Sequence, residues 1–175
     1  IRRANTDGTG SEDLVTGLNE GLPSGIDLDV NNGKMYWSTT DGKIQRANLD
    51  GSNVETVHSS SFSRIFTDLA LDLSNGRIYW TSTGGTSVIR RVSIVGGTEE
   101  NLVEGSDFPS GAFFPMNIAL DLPNGRVFWT SPDSFSAQRS KIQSATLDGD
   151  PATITDVVTV VEDPVGIAVG SVVTP

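Results

Sequence analysis

The sequence has no cysteine and no long apolar run, and each of these absences excludes a class of structure or function. Without cysteine the chain can form no disulfide, thiol nucleophile or zinc–thiolate site. The lack of cysteine does not decide between a secreted and an intracellular location, because a repeat fold of this size needs no disulfides. No stretch approaches the roughly 20 apolar residues of a membrane-spanning helix, so membrane insertion is not expected. No Asn-x-Ser/Thr sequon occurs, which excludes N-linked glycosylation of the standard kind.

Basic residues are also scarce. The 12 Lys and Arg residues face 22 Asp and Glu residues, giving a net charge of -10, and they lie singly or in pairs such as Arg2-Arg3. A nucleic-acid partner requires a basic patch, so none is expected. The chain begins Ile-Arg-Arg without a methionine, from which we expect a leader or an upstream segment.

What the sequence does contain is a repeat. GKMYWSTT from Gly33 returns as GRIYWTST from Gly76 and, altered, as GRVFWTSP from Gly125. The tryptophans of these segments are 43 and 49 residues apart, and the aspartates and glycines before them keep the same intervals. The markers are Tyr36, Trp37, Tyr79, Trp80, Phe128, Trp129, Asp29, Asp72, Asp121, Gly33, Gly76 and Gly125. A shared period in independent markers indicates a structural unit.

Two further blocks share this period. GIDLDVNNG, DLALDLSNG and NIALDLPNG precede the aromatic pairs, and a fourth copy, GIAVG from Gly166, has lost its aspartate and its turn. The third block, as in IQRANLDGS, begins at Ile1, Ile44, Ile89 and Ile142. We therefore predict one domain over 1–175, with repeat units of approximately 1–40, 41–83, 84–131 and 132–175.

Each block has the pattern of a short strand. Apolar residues alternate with a period of two before an Asn-Gly turn, and the aromatic pair begins the return strand. Four antiparallel strands in each period of about 45 residues, with short turns and no amphipathic helix, predict an all-β fold, a β-propeller of four-stranded blades. The two rings of each aromatic pair are expected to point to opposite faces of their strand and to fill the spaces between neighbouring blades.

The combination of GIxLD, NG followed by KxYW or RxYW, and IQRANLDGS resembles the YWTD repeat of the low-density lipoprotein receptor family of β-propellers, over nearly the whole chain. The fourth letter of that motif is serine or threonine here, in YWST, YWTS and FWTS. In the family this aspartate is associated with bonds between blades, so we expect those bonds to come from hydroxyl groups or to be weaker. The resemblance also implies a ring of six blades, for which this chain has too few residues.

Counting strands from Ile1 predicts three complete blades flanked by complementary half-blades at the two termini. The C-terminal strands can complete the N-terminal blade of the same chain in a four-bladed ring. They can instead complete the blade of another chain, in a head-to-tail homo-oligomer or a filament. In a third arrangement, the chain is a segment of a longer six-bladed protein.

Most polar candidates have a structural interpretation. The aspartates at 29, 72 and 121 each precede a turn glycine, where they are expected to accept backbone N–H bonds. We predict no metal site, no cofactor and no catalytic residue. Asp68 and Asn117 replace a glycine at the start of the inner strand, and only there do we expect a small ligand near the axis. The sequence contains no G-x-S-x-G motif, so His58 is not predicted to belong to a catalytic triad, and it is expected at the surface.

One loop is a candidate for a partner contact. FPSGAFFP contains Phe108, Phe113 and Phe114, which are costly to expose unless another blade or a protein partner covers them. We therefore predict a non-enzymatic binding or assembly module, extracellular or at the cell surface, with a protein partner bound by loops or by completion of a blade between chains. The alternatives are a self-polymerising structural protein and a metal-dependent hydrolase similar to propeller lactonases.

Overall fold

A computed structural model describes residues 1–18, 21–60, 64–84, 87–108, 114–132, 140–159, 164 and 166–170. Its strands are β1 (Arg2–Arg3), β2 (Glu12–Asp13), β3 (Pro23–Asp29), β4 (Lys34–Thr39), β5 (Lys43–Asn48), β6 (Glu55–Ser59), β7 (Ile65–Asp72), β8 (Arg77–Thr83), β9 (Val88–Ser93), β10 (Glu100–Glu104), β11 (Ile118–Asp121), β12 (Arg126–Ser131), β13 (Lys141–Thr146) and β14 (Thr155–Thr159). The described residues otherwise form turns, loops and short 3-10 segments, and none forms a helix with the length and apolarity of a membrane span.

The strands form three four-stranded antiparallel sheets and one two-stranded sheet. The first blade is β3–β6, the second β7–β10 and the third β11–β14, and within each the strands pair in chain order. Strands β1 and β2 pair only with each other and correspond to the two outer strands of a blade, which we call the half-blade. This order arises because each connection within a blade is a short turn that returns the chain antiparallel to its neighbour.

The inner strands of successive blades lie beside one another and run in the same direction. Ser24 Oγ donates to the carbonyl oxygen of Thr67 at 2.6 Å, and the Leu71 N–H donates to Asp27 at 2.9 Å. Residues early in β3 thus contact residues early in β7, and later residues contact later ones. In the same way, the Ile118 N–H donates to Asp68 at 3.0 Å, between β7 and β11. Equivalent positions of the three blades therefore lie at the same height along the axis.

The core lies in the contacts between sheets, which we call seams. In the seam between the first and second blades, Tyr36 packs with Trp80, and in the seam between the second and third blades Tyr79 packs with Trp129. Trp37 packs against Val15 in the seam with the half-blade. Each tyrosine thus faces the following blade and each tryptophan the preceding one, with all three indoles fully buried.

The faces at the two ends of this row of blades differ from the internal seams. Phe128, which corresponds to Tyr36 and Tyr79, is only half-buried, because no following blade lies against it in the described part of the chain. At the other end Ile26 and Leu28 are about half exposed, since the half-blade has no inner strands. Gly166–Gly170, the fourth copy of the inner-strand block, takes no part in a strand, and the described residues form no closed ring.

Candidate functional site

A repeated arginine–glutamate arrangement crosses every seam and was not anticipated from the sequence. One arginine of the third strand donates through its Nη1 to a backbone carbonyl of the next blade, while its Nε donates to a glutamate of its own outer strand. The three arginine–carbonyl bonds are Arg3 to Leu49 at 3.2 Å, Arg46 to Ile94 at 3.2 Å and Arg91 to Leu147 at 2.5 Å. The glutamate partners are Glu12, Glu55 and Glu100, at 2.6–2.9 Å. We call each of these sets a clasp.

The clasps have a sequence signal that could have been found. In each of the three repeats, a glutamate follows the arginine at a spacing of nine residues. The hydrogen bond from Arg46 lowers the pKa of Glu55. The third blade has Ser144 and Thr155 at these positions, and Arg126 donates to both. The face that the third blade presents therefore lacks the clasp of the internal seams.

Hydroxyl groups supply further bonds between blades. Thr81 Oγ1 donates to the carbonyl oxygen of Met116 at 2.9 Å, and Ser24 makes the equivalent kind of bond to Thr67. The residues that replace the fourth letter of the YWTD motif bond within their own blade instead. Thr39 Oγ1 bonds Asp41, and Ser82 Oγ donates to the Val88 carbonyl at 3.3 Å. The hydroxyl bonds between blades thus come from the third letter of the motif in the second blade and from the inner strand in the first.

The repeated aspartates hold the turns between the inner and second strands. Asp29 accepts the Asn32 backbone N–H at 3.1 Å and its side-chain Nδ2 at 2.8 Å, and Asp72 does the same with Asn75 at 3.0 and 2.7 Å. Burial raises the pKa of Asp72, but the hydrogen bonds from Ser74 and Asn75 outweigh it and hold the pKa below its usual value. Both carboxylate oxygens of Asp29 and of Asp72 therefore accept hydrogen bonds from residues of the turn.

The two residues predicted to line an axial ligand site, Asp68 and Asn117, lie next to each other, but the carboxylate of Asp68 accepts hydrogen bonds from backbone N–H groups. Its Oδ1 accepts the Leu69 N–H at 2.9 Å, and its Oδ2 accepts the Ile118 N–H of the next blade. The Asn117 amide lies 3.4 Å from the same Oδ2. Burial is the main cause that raises the pKa of Asp68, against the opposing effect of these bonds. A group of three or more His, Asp or Glu side chains placed to hold a metal does not occur among the described residues.

Replacement of Asp68 by asparagine is expected to change how stability depends on pH. Because burial raises the folded-state pKa of Asp68, its contribution is fully present below the unfolded-state pKa and is lost as pH rises through the folded-state pKa. The difference in unfolding free energy between the wild type and Asp68→Asn should therefore move in favour of the wild type as pH falls from neutral. Urea titrations of both proteins across this range measure it, and a constant difference would contradict the assignment.

His58 is not the surface residue that the sequence predicted. Its side chain is 9% exposed and lies over Trp80 and Phe66 of the second blade, with ring centroids 5.2 and 6.4 Å away. Its Nε2 is 2.9 Å from Glu99, which also lies 3.3 Å from the buried Arg90. The prediction was wrong because β6 turns this residue into the seam, where the corresponding residue of the next blade is Val103. A polar cleft of about 410 Å³ opens beside it.

The predicted partner loop divides between core and surface. Phe108 packs against the seam between the second and third blades, Phe114 is exposed, and Phe113 lies outside the described residues. Phe114 is equivalent to Leu22 and Ile65, each being three residues before the start of the inner-strand block. These three side chains are 71% (Leu22), 46% (Ile65) and 41% (Phe114) exposed. Since equivalent positions share one height, they form an exposed apolar row on one face, which we call the apolar row.

Comparisons with known proteins identify the fold. No protein-family profile and no curated protein sequence matches this chain. A chain from a crystal structure of a nidogen/laminin complex superposes over 97% of this chain with a TM-score of 0.78 at 16% identity. Putative TolB from Agrobacterium tumefaciens matches 83% with a TM-score of 0.63 at 13% identity. A putative glucose dehydrogenase from Thermus thermophilus matches 80% with a TM-score of 0.60 at 22% identity.

These matches and the three blades confirm the predicted all-β propeller fold. The chain spans 60% of the nidogen/laminin chain, 51% of TolB and 48% of the dehydrogenase. At these identities the likeness concerns architecture, so function has to be argued from the surfaces of this chain.

Proposed function

We propose that this chain is a non-enzymatic, protein-binding propeller module of the YWTD type, acting outside the cell or at its surface. The observation that carries the proposal is the apolar row. Three equivalent positions keep large apolar side chains exposed on one face of three successive blades. Exposed apolar groups of this kind are typical of protein-binding surfaces.

Two further observations support this proposal. A structure that superposes on nearly all of this chain is named for a complex of nidogen with laminin. The three aromatic pairs and the turn aspartates of the resembled family are all present; five of the six rings pack in the seams, and the aspartates hold the turns. The proposed location, outside the cell or at its surface, is inferred from the resemblance to that family of receptors. The net charge of -10 keeps the module soluble and argues against nucleic acid as the partner.

Catalysis is the less favoured alternative. A lactonase-like hydrolase would need free carboxylates converging on a metal near the axis. Here the carboxylate oxygens of Asp27 and Asp68 accept hydrogen bonds from backbone N–H groups, one in the same strand and one in the next blade for each aspartate. On the binding proposal, the purified protein holds no stoichiometric calcium or zinc, and a stoichiometric metal would favour the hydrolase instead.

The proposal is tested by removing the apolar row. A variant with Leu22→Ser, Ile65→Ser and Phe114→Ser is expected to keep the wild-type fold and to lose at least about tenfold in affinity, about 1.4 kcal/mol, which is less than the loss of a single strong anchor. The wild type is first screened against purified secreted and cell-surface proteins, and the chain itself is included in the panel. Circular dichroism and the tryptophan emission of the buried indoles verify the fold of the variant.

The matched control changes the opposite face. Val30→Ser and Leu73→Ser alter exposed apolar residues at the other end of the inner strands, and this variant should bind as the wild type does. No binder in the panel, or equal loss in both variants, would contradict the proposal. Binding of the chain to itself would instead support the head-to-tail homo-oligomer, for which the exposed Ile26 and Leu28 and the half-buried Phe128 offer surfaces.

A further inference from the structure

The three turns that join inner and second strands all contain an Asn-Gly pair, at Asn32, Asn75 and Asn124. In such a pair the backbone nitrogen of glycine can attack the asparagine side-chain carbon Cγ, because glycine carries no side chain to obstruct the approach. A C–N bond forms as the glycine nitrogen gives up its proton, the bond from Cγ to Nδ2 breaks, and the Nδ2 group takes up a proton and leaves as ammonia. Water then opens the resulting succinimide ring to aspartate or isoaspartate. Water is the only co-reactant required.

The structure holds the three asparagines to different extents. Asn32 and Asn75 are each bonded twice to their aspartate, through the backbone N–H and through Nδ2. Asn124 has the Nδ2 bond to Asp121 at 2.8 Å as its single hydrogen bond to that aspartate among the described residues. The aspartates differ too, since Asp29 and Asp72 are buried and Asp121 is only half-buried.

These differences bear directly on the reaction. For Cγ to meet the glycine nitrogen, the asparagine side chain must rotate away from the carboxylate that holds it. A hydrogen bond to a buried charged group is stronger than one to a solvated group, because the low surrounding dielectric strengthens it. All three asparagines are exposed, so water reaches each of them. The attacking nitrogen is held alike in the first and third turns, where the Gly33 N–H donates to Val30 at 3.2 Å and the Gly125 N–H donates to Leu122 at 3.1 Å. Between Asn32 and Asn124, the bonds to the aspartates therefore decide the order of reaction.

We propose that Asn124 is a site of spontaneous deamidation, and that Asp29 and Asp72 protect the equivalent Asn32 and Asn75. The reaction weakens the turn in which it occurs. It replaces the Nδ2 donor by an oxygen, so that two carboxylates meet where Asn124 and Asp121 were bonded, and an isoaspartate also lengthens the backbone between β11 and β12. The third blade is then loosened at the turn next to its half-buried face.

The test compares rates at the three sites within one molecule. The folded chain is incubated at mildly alkaline pH, sampled over days and digested, and each peptide is quantified by mass spectrometry. The same chain unfolded in guanidinium chloride supplies the intrinsic rate at each site and so removes the effect of the preceding residues Asn31, Ser74 and Pro123. We expect a folded-state rate at Asn124, relative to its unfolded rate, about tenfold above that at Asn32, which is the factor for one additional hydrogen bond to a charged group.

Two variants complete the experiment. Asp72→Asn weakens the acceptor while keeping its shape, and should accelerate deamidation at Asn75 in a chain whose circular dichroism is unchanged. Asn124→Gln should abolish the signal at that site and leave the other two rates unaltered. Equal protection of Asn32 and Asn124 relative to their unfolded rates, stronger protection of Asn124 than of Asn32, or no effect of Asp72→Asn would each overturn the proposal. None of these outcomes depends on the binding function.

Discussion

Replacement of Gly96 by alanine is expected to destabilise the propeller by about 3 to 5 kcal/mol, because it combines backbone strain with a collision between blades. Gly96 has φ of +89°, a left-handed conformation that costs an alanine about 1–2 kcal/mol. A Cβ at this position would lie 2.6 Å from the carbonyl oxygen of Val57 in the first blade. That oxygen belongs to the backbone and cannot move aside without displacing β6.

The same contact recurs at the other seams, which shows that it belongs to the repeat. The corresponding turn glycines Gly51 and Gly149 would place a Cβ at 2.1 Å from the Leu14 oxygen and 2.8 Å from the Leu102 oxygen. Val57 and Leu102 each lie where the pairing of their outer strand is irregular. At Gly8, the equivalent in the half-blade, a Cβ would meet nothing within 4 Å. The turn after the third strand therefore sets how closely two blades approach.

Gly33→Ala is the matched control for Gly96→Ala. Gly33 also has a positive φ, +65°, but a Cβ there would meet nothing within 4 Å, so the change should cost only the strain of about 1–2 kcal/mol. Guanidinium titrations followed by tryptophan fluorescence give both unfolding free energies. Equal losses in the two variants would mean that the approach to Val57 does not limit the spacing of the blades.

The repeat and its strands could be predicted from the sequence because they depend on local chemistry. Alternation in GIDLD and DLALD defines the inner strands, and Asn-Gly turns fix where they end. The structure places β3 and β7 over these segments. The YW pairs could be assigned to opposite faces because side chains in a strand alternate, and Tyr36 and Trp37 do occupy different seams.

Features that depend on the angle between blades could not be predicted in this way. The clasp bond from Arg46 ends on a carbonyl 48 residues away, and nothing in the local pattern identifies that acceptor. His58 was misplaced for a related reason. It follows the irregularity between Ile44 and Gln45 in the pairing of β5 with β6, which shifts the phase of the outer strand. Simple alternation then assigns the wrong face to the residue.

One substitution within the repeat leads to the second large effect. In the first and third blades the buried indole N–H donates to a glutamine across the strand pair, from Trp37 to Gln45 at 3.1 Å and from Trp129 to Gln143 at 3.2 Å. In the second blade the residue paired with Trp80 is Arg90, which has donors only. The Trp80 N–H accordingly has no acceptor among the described residues.

Arg90 brings a buried positive charge into this seam, and Glu99 compensates it. The Arg90 side chain is 5% exposed, and burial lowers its pKa against the opposing charge of Glu99. Its Nε bonds the neutral Asn101 at 2.7 Å and lies 3.3 Å from Glu99. Glu99 is thus shared between this guanidinium and His58 of the first blade, and the charge balance of the seam depends on it.

Glu99→Gln is therefore expected to destabilise the protein by about 2–3 kcal/mol, because it removes the carboxylate that forms an ion pair with the buried guanidinium of Arg90. The double variant Glu99→Gln with Arg90→Gln should recover at least about 1 kcal/mol, since it removes the buried charge and gives Trp80 the acceptor found in the other blades. The adjacent Glu100→Gln is the control, because Glu100 is 57% exposed in its bond to Arg91 and should shift the unfolding midpoint only slightly. Unfolding free energies of the four proteins form the measurement. If Glu99→Gln behaves like Glu100→Gln, or if the double variant is no more stable than Glu99→Gln alone, the seam does not rely on this charge pair.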